Sequence, residues 1–162
     1  GPSEDEGVLW LHSRLLMPGY LNLPEATAKR VDNGWYNTSD VMRRDADGFF
    51  FFVGRDDDLF ICGGENIHPG EVEKMLERHP AVAQCAIVPL ADAIKGQLPV
   101  AFIVPVPGTA PTVDEIKQFA LANAPAYQHP RFVAFVDHLP LAGTNKVDRK
   151  ALIAGAAAQF RR

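Results

Sequence analysis

An α+β fold is predicted for most of this chain: a compact βαββαβα unit preceded by a shorter, β-rich segment. Three observations carry that prediction. Short apolar runs recur at residues 59–62, 82–89, 100–106 and 132–136, each of strand length. Stretches with helical spacing stand between and after them, at 69–78, 112–125 and 147–160. Three consecutive acids, Asp56-Asp57-Asp58, repel one another and resist burial, so they mark an exposed joint between the two regions.

The opening region reads in order as follows. Residues 8–12 form a strand, and a loop runs through Pro18-Gly19-Tyr20. Residues 24–30 form a short helix, with proline and acid first and bases last, which suits the helix dipole. Asn33-Gly34 ends that helix. Strands follow at 35–36, 40–44 and 49–53, the last two joined by the turn Asp45-Ala46-Asp47-Gly48. With several strands, little helix to cover them and many aromatics, residues 1–56 read as the closing portion of a larger domain. Gly1-Pro2 reads as a protease scar.

Residues 57–162 form the self-sufficient unit. Gly63-Gly64 supplies a turn at positive φ, and Pro69 fits the first turn of a helix. Val72, Met75, Leu76 and His79 share one face of that helix, and Pro80 stops it. Thr112 and Glu115 have the spacing of a capping box. Ile116, Phe119 and Ala120 then point inward. The order suits a sandwich of the split βαβ type.

A chain of 162 residues can bury a substantial core. Its net charge of −4 argues against a nucleic-acid or anionic-membrane partner. Cys62 and Cys85 lie inside apolar runs and form no CxxC pair, so they read as buried reduced thiols of a cytoplasmic protein. No apolar run approaches the ~20 residues of a membrane span. The histidines lack zinc-like spacing, so no metal site is expected.

The run GRDDDLFICGGENIHPGEVE, from Gly54 to Glu73, resembles the hinge motif of the adenylate-forming enzymes. Two further blocks agree in order: Gly34-Trp35-Tyr36-Asn37-Thr38-Ser39-Asp40 before it, and Pro140-Leu141-Ala142-Gly143-Thr144-Asn145-Lys146-Val147-Asp148-Arg149 after it. The details are most similar to acid–CoA ligases of the benzoate type. The resemblance implies AMP-forming activation of an aryl or fatty acid with ATP, its Mg2+ and CoA. It also implies a mobile C-terminal lid and a missing N-terminal domain, and it allows a homodimer.

Residue by residue, it implies the following roles. Asp40 accepts hydrogen bonds from both ribose hydroxyls of ATP, a task suited to a carboxylate's paired oxygens, and Arg55 contacts the same ribose. Asp57 is the hinge residue, whose backbone absorbs a rotation of the lid. Lys146 is the lysine of the adenylation step, where an ammonium meets the acid's carboxylate and the phosphates. Gly63 and Gly64 line the pantetheine arm. Lys95, Tyr127, His129 and Arg131 are the further candidates for CoA. Ser39 and Asn145 stand where glycine is commonest, and Gln128 and His129 stand where many relatives are more basic. Two other readings stay open: an adenylating enzyme that loads the pantetheine arm of a carrier protein, and a stand-alone α+β interaction module. The fragment by itself is expected to be inactive.

Overall fold

A computed structural model describes residues 5–143 and 145–160. The chain divides into two compact units, one ending at Asp58 and the other beginning at Leu59.

In the first unit, β3 (Trp35–Arg44) organises the sheet. β1 (Glu6–His12) runs antiparallel along one edge of it. β2 (Val31–Asp32) and β4 (Phe50–Arg55) take the two ends of the other edge. The expected helix forms as α1 (Pro24–Arg30), with Glu25 in its first turn and Lys29 and Arg30 in its last. Two expectations are corrected here. Asn33-Gly34 does not end α1, because β2 intervenes. The pair instead makes a two-residue hairpin turn with φ of 48° and 82°, as a type I′ turn requires.

The strands expected at 35–36 and 40–44 are one strand, continuous through Asn37, Thr38 and Ser39. Those polar residues hid the continuity because their side chains bond to backbone. The Ser39 N–H donates to Asn37 Oδ1 at 2.8 Å, and the Asp40 N–H to Thr38 Oγ1 at 3.0 Å. The Asp45 turn forms as expected, its Oδ1 accepting from the amides of Asp47 and Phe49. Val41 and Val53 are buried, whereas Phe49, Phe50, Phe51, Phe52, Trp10 and Trp35 are exposed.

The second unit contains β5 (Phe60–Cys62), β6 (Glu65–Ile67), α2 (Pro69–Leu76), β7 (Val82–Asp92) and β8 (Gly96–Pro105). α3 (Val113–Asn123), β9 (Phe132–Phe135) and α4 (Arg149–Phe160) complete it. β6 was not expected. It is the return arm of a hairpin with β5, and only Ile67 of its three residues is buried, which leaves no apolar run to read.

β8 is central. β7 pairs antiparallel with one edge, while β9 (parallel) and the end of β5 share the other. β5 and β7 therefore run the same way with β8 between them, and α2 makes the crossover; this is the split βαβ arrangement. Period-two alternation buries both faces of the sheet. Cys85, Ile87, Ala101, Ile103 and Val133 pack with Val72, Met75, Leu76, Ile116 and Ala120 of α2 and α3. Ala86, Val88, Val100, Phe102 and Ala134 pack with Leu152 and Ala156 of α4.

The capping box is present: Thr112 Oγ1 accepts the Glu115 N–H at 3.2 Å, and Glu115 Oε2 accepts the Thr112 N–H at 2.7 Å. Both cysteines are free and buried, and burial pushes the Cys85 thiol well above its usual range. No helix among the described residues is long and apolar enough to cross a membrane.

Candidate functional site

The pairing of β3 with β4 sets Asp40 opposite Arg55. That register lets Arg55 Nη1 donate to Asp40 Oδ1 at 2.9 Å. The rest of the guanidinium closes a two-point bond on Asp57, Nε to Oδ1 at 2.8 Å and Nη2 to Oδ2 at 2.9 Å. Such planar, charge-assisted pairs are stronger than neutral hydrogen bonds. Arg30, at the end of α1, adds a contact from Nη2 to Asp57 Oδ2 at 3.0 Å. The Arg55 hydrogen bonds foremost, aided by Arg30 and opposed by partial burial, hold Asp57 below the usual carboxylate range. In return, bonding to Asp57 raises Arg55.

The structure thus brings together Asp40, Arg55 and Asp57, three of the residues predicted from the sequence. No partner among the described residues engages Asp40 Oδ2, which leaves one oxygen for an outside donor. Arg30 was missed, because the sequence shows it only as a base at a helix end, 27 positions from its partner.

The two residues that stand where the resemblance expects glycine share a backbone conformation. Ser39 has φ 58° and Asn145 φ 60°, the left-handed region where glycine is unstrained. Asparagine tolerates that region well, whereas serine is strained there by about 1 kcal/mol. Net of the extra freedom glycine gives the unfolded chain, Ser39→Gly is expected to stabilise the protein by about 0.5 kcal/mol. Urea unfolding checks this; a lower midpoint would show that the buried Ser39 hydroxyl outweighs the strain.

In the second unit the Gly63-Gly64 turn forms with φ of 60° and 90°. The Gly63 N–H donates to the Lys95 carbonyl at 2.9 Å. The Lys95 stem runs 3.8 Å from where a Gly63 Cβ would stand, and nothing lies within 4 Å of the Cβ position of Gly64. Lys95 is itself fixed in the β7–β8 turn, its amide held by Asp92 Oδ1 at 2.8 Å. Gly63, Gly64 and Lys95 therefore form one local group with an open backbone face. No side-chain hydrogen bond or ion pair among the described residues joins it to Tyr127 or Arg131. Tyr127 lies in a 3-10 turn (Ala126–Gln128), half-buried against the α2–α3 core.

His129 is the most buried of the residues suggested for CoA. It is 8% exposed, and its Nδ1 is buried without a hydrogen-bond partner among the described residues. Burial, helped by the positive charges of Arg131 and Lys117, lowers its pKa, so the ring is neutral near pH 7 and does not offer a cation to a phosphate. Because the unfolded chain takes up this proton more readily, stability is full above about pH 6.5 and declines as pH falls below it. NMR titration of the ring should give a midpoint below 6.5; an ordinary or higher value would show the ring open to solvent.

Lys146 lies on a loop closed at its base by the Leu141–Val147 bridge. The Ala142 N–H donates to the Lys146 carbonyl at 2.7 Å, and the Asn145 N–H to the Ala142 carbonyl at 2.9 Å. The lysine is exposed, and its ammonium has no partner among the described residues. Thr144, part of the expected motif, lies outside those residues. Just beyond the loop, Arg149 donates to Glu73 Oε1 at 2.7 Å, to Glu73 Oε2 at 3.1 Å and to the Ile87 carbonyl at 2.9 Å. Glu73 Oε1 also accepts the Ile87 N–H at 2.8 Å. This half-buried pair ties α2, β7 and α4 together and anchors the exit of the loop. The pairing spans 76 positions, and nothing in the sequence signalled it.

A family profile described as the AMP-binding enzyme C-terminal domain matches residues 71–146. This chain carries that domain. Lys146 is the last residue of the matched AMP-binding C-terminal domain. A 2-succinylbenzoate–CoA ligase of Geobacillus sp. (strain WCH70) is 40% identical over 134 residues, which are 83% of this chain and 27% of that protein. The o-succinylbenzoate CoA synthetase of Bacillus subtilis, solved in complex with its acyl-adenylate intermediate OSB-AMP, matches with a TM-score of 0.85 and 32% identity. That match covers 92% of this chain and 30% of the synthetase. An amide bond synthetase from Marinactinospora thermotolerans matches with a TM-score of 0.87 and 29% identity, over 95% of this chain and 32% of its own. This chain therefore spans less than a third of each of these relatives. Among the described residues, no group of three or more His, Cys, Asp or Glu is placed to hold a metal ion.

Proposed function

We propose that this chain is the closing part of a cytoplasmic AMP-forming acid–CoA ligase, with residues 1–56 ending the large domain and 57–162 forming the mobile lid. In the first step the acid's carboxylate attacks the α-phosphate of ATP, giving the acyl-adenylate and pyrophosphate. In the second the CoA thiol attacks the acyl carbon, giving the thioester and AMP. The observation that carries this reading is Lys146, exposed and without an ion-pair partner among the described residues, on a loop closed by hydrogen bonds and anchored through Arg149 and Glu73. The loop fixes where the lysine stem starts, and an ammonium there suits the negative charge that grows on the phosphates.

The other site residues take compatible parts. Asp40 offers its free oxygen to the ribose, with Arg55 beside it, and Mg2+ enters bound to ATP. Gly63 and Gly64 give a thin ligand an open backbone path, with Lys95, Tyr127 and Arg131 as its further contacts. Aryl acids are favoured by the succinylbenzoate-specific names of two relatives. The exposed phenylalanines and tryptophans of the first unit support its being part of a larger domain.

A second reading concerns the acceptor. The match to an amide bond synthetase, and the burial of His129, favour an acceptor other than free CoA, such as an amine or a carrier-protein thiol. The test uses a longer enzyme that contains this sequence, a panel of aryl acids and ATP, with pyrophosphate release and mass spectrometry as readouts. CoA thioester is the expected product. Adenylate without CoA consumption would favour the second reading, and no pyrophosphate with any acid would overturn both.

A further inference from the structure

Asp57 is held from two elements at once. Arg55 of β4 closes on both carboxylate oxygens, and Arg30 of α1 donates to Oδ2 at 3.0 Å. Arg55 also bonds Asp40 at 2.9 Å, so its guanidinium is shared between the ribose candidate and the hinge candidate. Among the described residues, Arg30 makes no second side-chain hydrogen bond or ion pair. It is three-quarters buried, with its side chain 26% exposed against 43% for Asp57. The segment it secures is short: Asp56 N–H bonds the Ser39 carbonyl at 2.8 Å, Asp58 N–H bonds the Arg55 carbonyl at 3.3 Å, and Leu59 opens the second unit.

We propose that Arg30 is a positioning residue for the joint: by holding Asp57 from α1, it keeps the 56–58 segment fastened when Arg55 turns to a bound nucleotide, and so sets how readily the chain swivels there. The last part rests on the ligase reading; the fastening itself does not. One carboxylate shared by two guanidiniums is a small network, the case in which exposed ion pairs have a measurable effect. An arginine fits this duty better than a lysine, because its planar fork loses less freedom per bond.

Amide hydrogen exchange of the 162-residue chain tests the fastening without any chemistry. Arg30→Gln, which keeps most of the stem, is expected to raise exchange at Asp58 about two- to fivefold, and to move the titration midpoint of the Asp57 carboxyl upward. Exchange at Ala101 and Ile103 in the second-unit core should stay unchanged. Arg30→Lys should restore part of the protection. Unchanged exchange at Asp58, or a rise shared in equal proportion by every amide of β1 and β3, would overturn the proposal. The second of those outcomes would mean that Arg30 merely stabilises the unit. In the full-length enzyme, Arg30→Gln should change the ratio of thioester to adenylate rates while leaving the KM for the acid unchanged. An unchanged ratio alongside faster exchange would remove the link to catalysis and keep the fastening. Absence of both half-reactions in the unsubstituted enzyme would instead sink the ligase reading.

Discussion

Lys146→Ala in the full-length enzyme is expected to slow acyl-adenylate formation by a hundredfold or more while leaving thiolysis of a preformed acyl-adenylate within about twofold. The asymmetry follows from where charge develops. In the first step two anions approach and negative charge moves toward the departing pyrophosphate, so a preorganised cation stabilises the transition state more than the ground state. In the second step the leaving group is AMP and the attack falls on an acyl carbon, which asks nothing of that ammonium. The loop around it does not depend on the side chain: its closure uses the Lys146 carbonyl, and its anchor is Arg149. Folding should therefore be intact, with an unchanged unfolding midpoint. Lys146→Arg keeps the charge on a wider, planar head and should recover only part of the rate. Pyrophosphate release and single-turnover thiolysis, measured separately, decide the matter. Equal loss in both steps, or loss in neither, would remove Lys146 from the role proposed for it.

Much of this molecule was legible from local chemistry, and what escaped did so for a physical reason. The Gly63-Gly64 turn, the Pro69 helix start and the Thr112–Glu115 capping box were all read correctly, because each is set within a few residues by backbone freedom or orphan amides. β6 escaped because a three-residue edge strand with two exposed positions carries no apolar signature. β3 was split in two because Thr38 and Asn37 bond neighbouring amides instead of alternating across the sheet. At the site, the motif resemblance points to Asp40, Arg55 and Asp57; the β3–β4 register sets the first two opposite each other, and the Arg55 guanidinium bonds the third. Arg30 and the Glu73–Arg149 pair were invisible for the opposite reason. They are long-range ion pairs, and a charged residue at a helix end looks the same in sequence whether it is solvated or holds a distant partner. The burial of His129 is not legible, because a histidine between glutamine and proline gives no sign of it.

Asp57→Pro is expected to leave adenylate formation within a few-fold while lowering thioester formation by about a hundredfold, a difference of ~3 kcal/mol between the two barriers. The effect is torsional. Proline locks φ near −65°, and a joint that must take two backbone conformations then has one. No backbone hydrogen bond donated by the Asp57 amide is found among the described residues, so losing that N–H removes no contact. Proline does lie at the third position of the Arg55–Asp58 turn, where it disfavours some turn geometries. It also deletes the carboxylate that Arg55 and Arg30 hold. Asp57→Ala separates these causes, since it removes the same carboxylate and leaves the backbone free. If the torsional account is right, Asp57→Ala keeps most of the thiolysis rate and Asp57→Pro does not. If alanine costs as much as proline, the carboxylate and its two arginines control the swing, and backbone freedom at Asp57 does not. The linkage is also signed: because Asp57 titrates below its ordinary range when held, its contribution to the fastening persists above about pH 4 and fades only as pH falls through the lowered folded-state value. The proline and alanine variants should therefore both lose that acid sensitivity, yet differ sharply in thiolysis at neutral pH, which is the comparison that isolates the backbone.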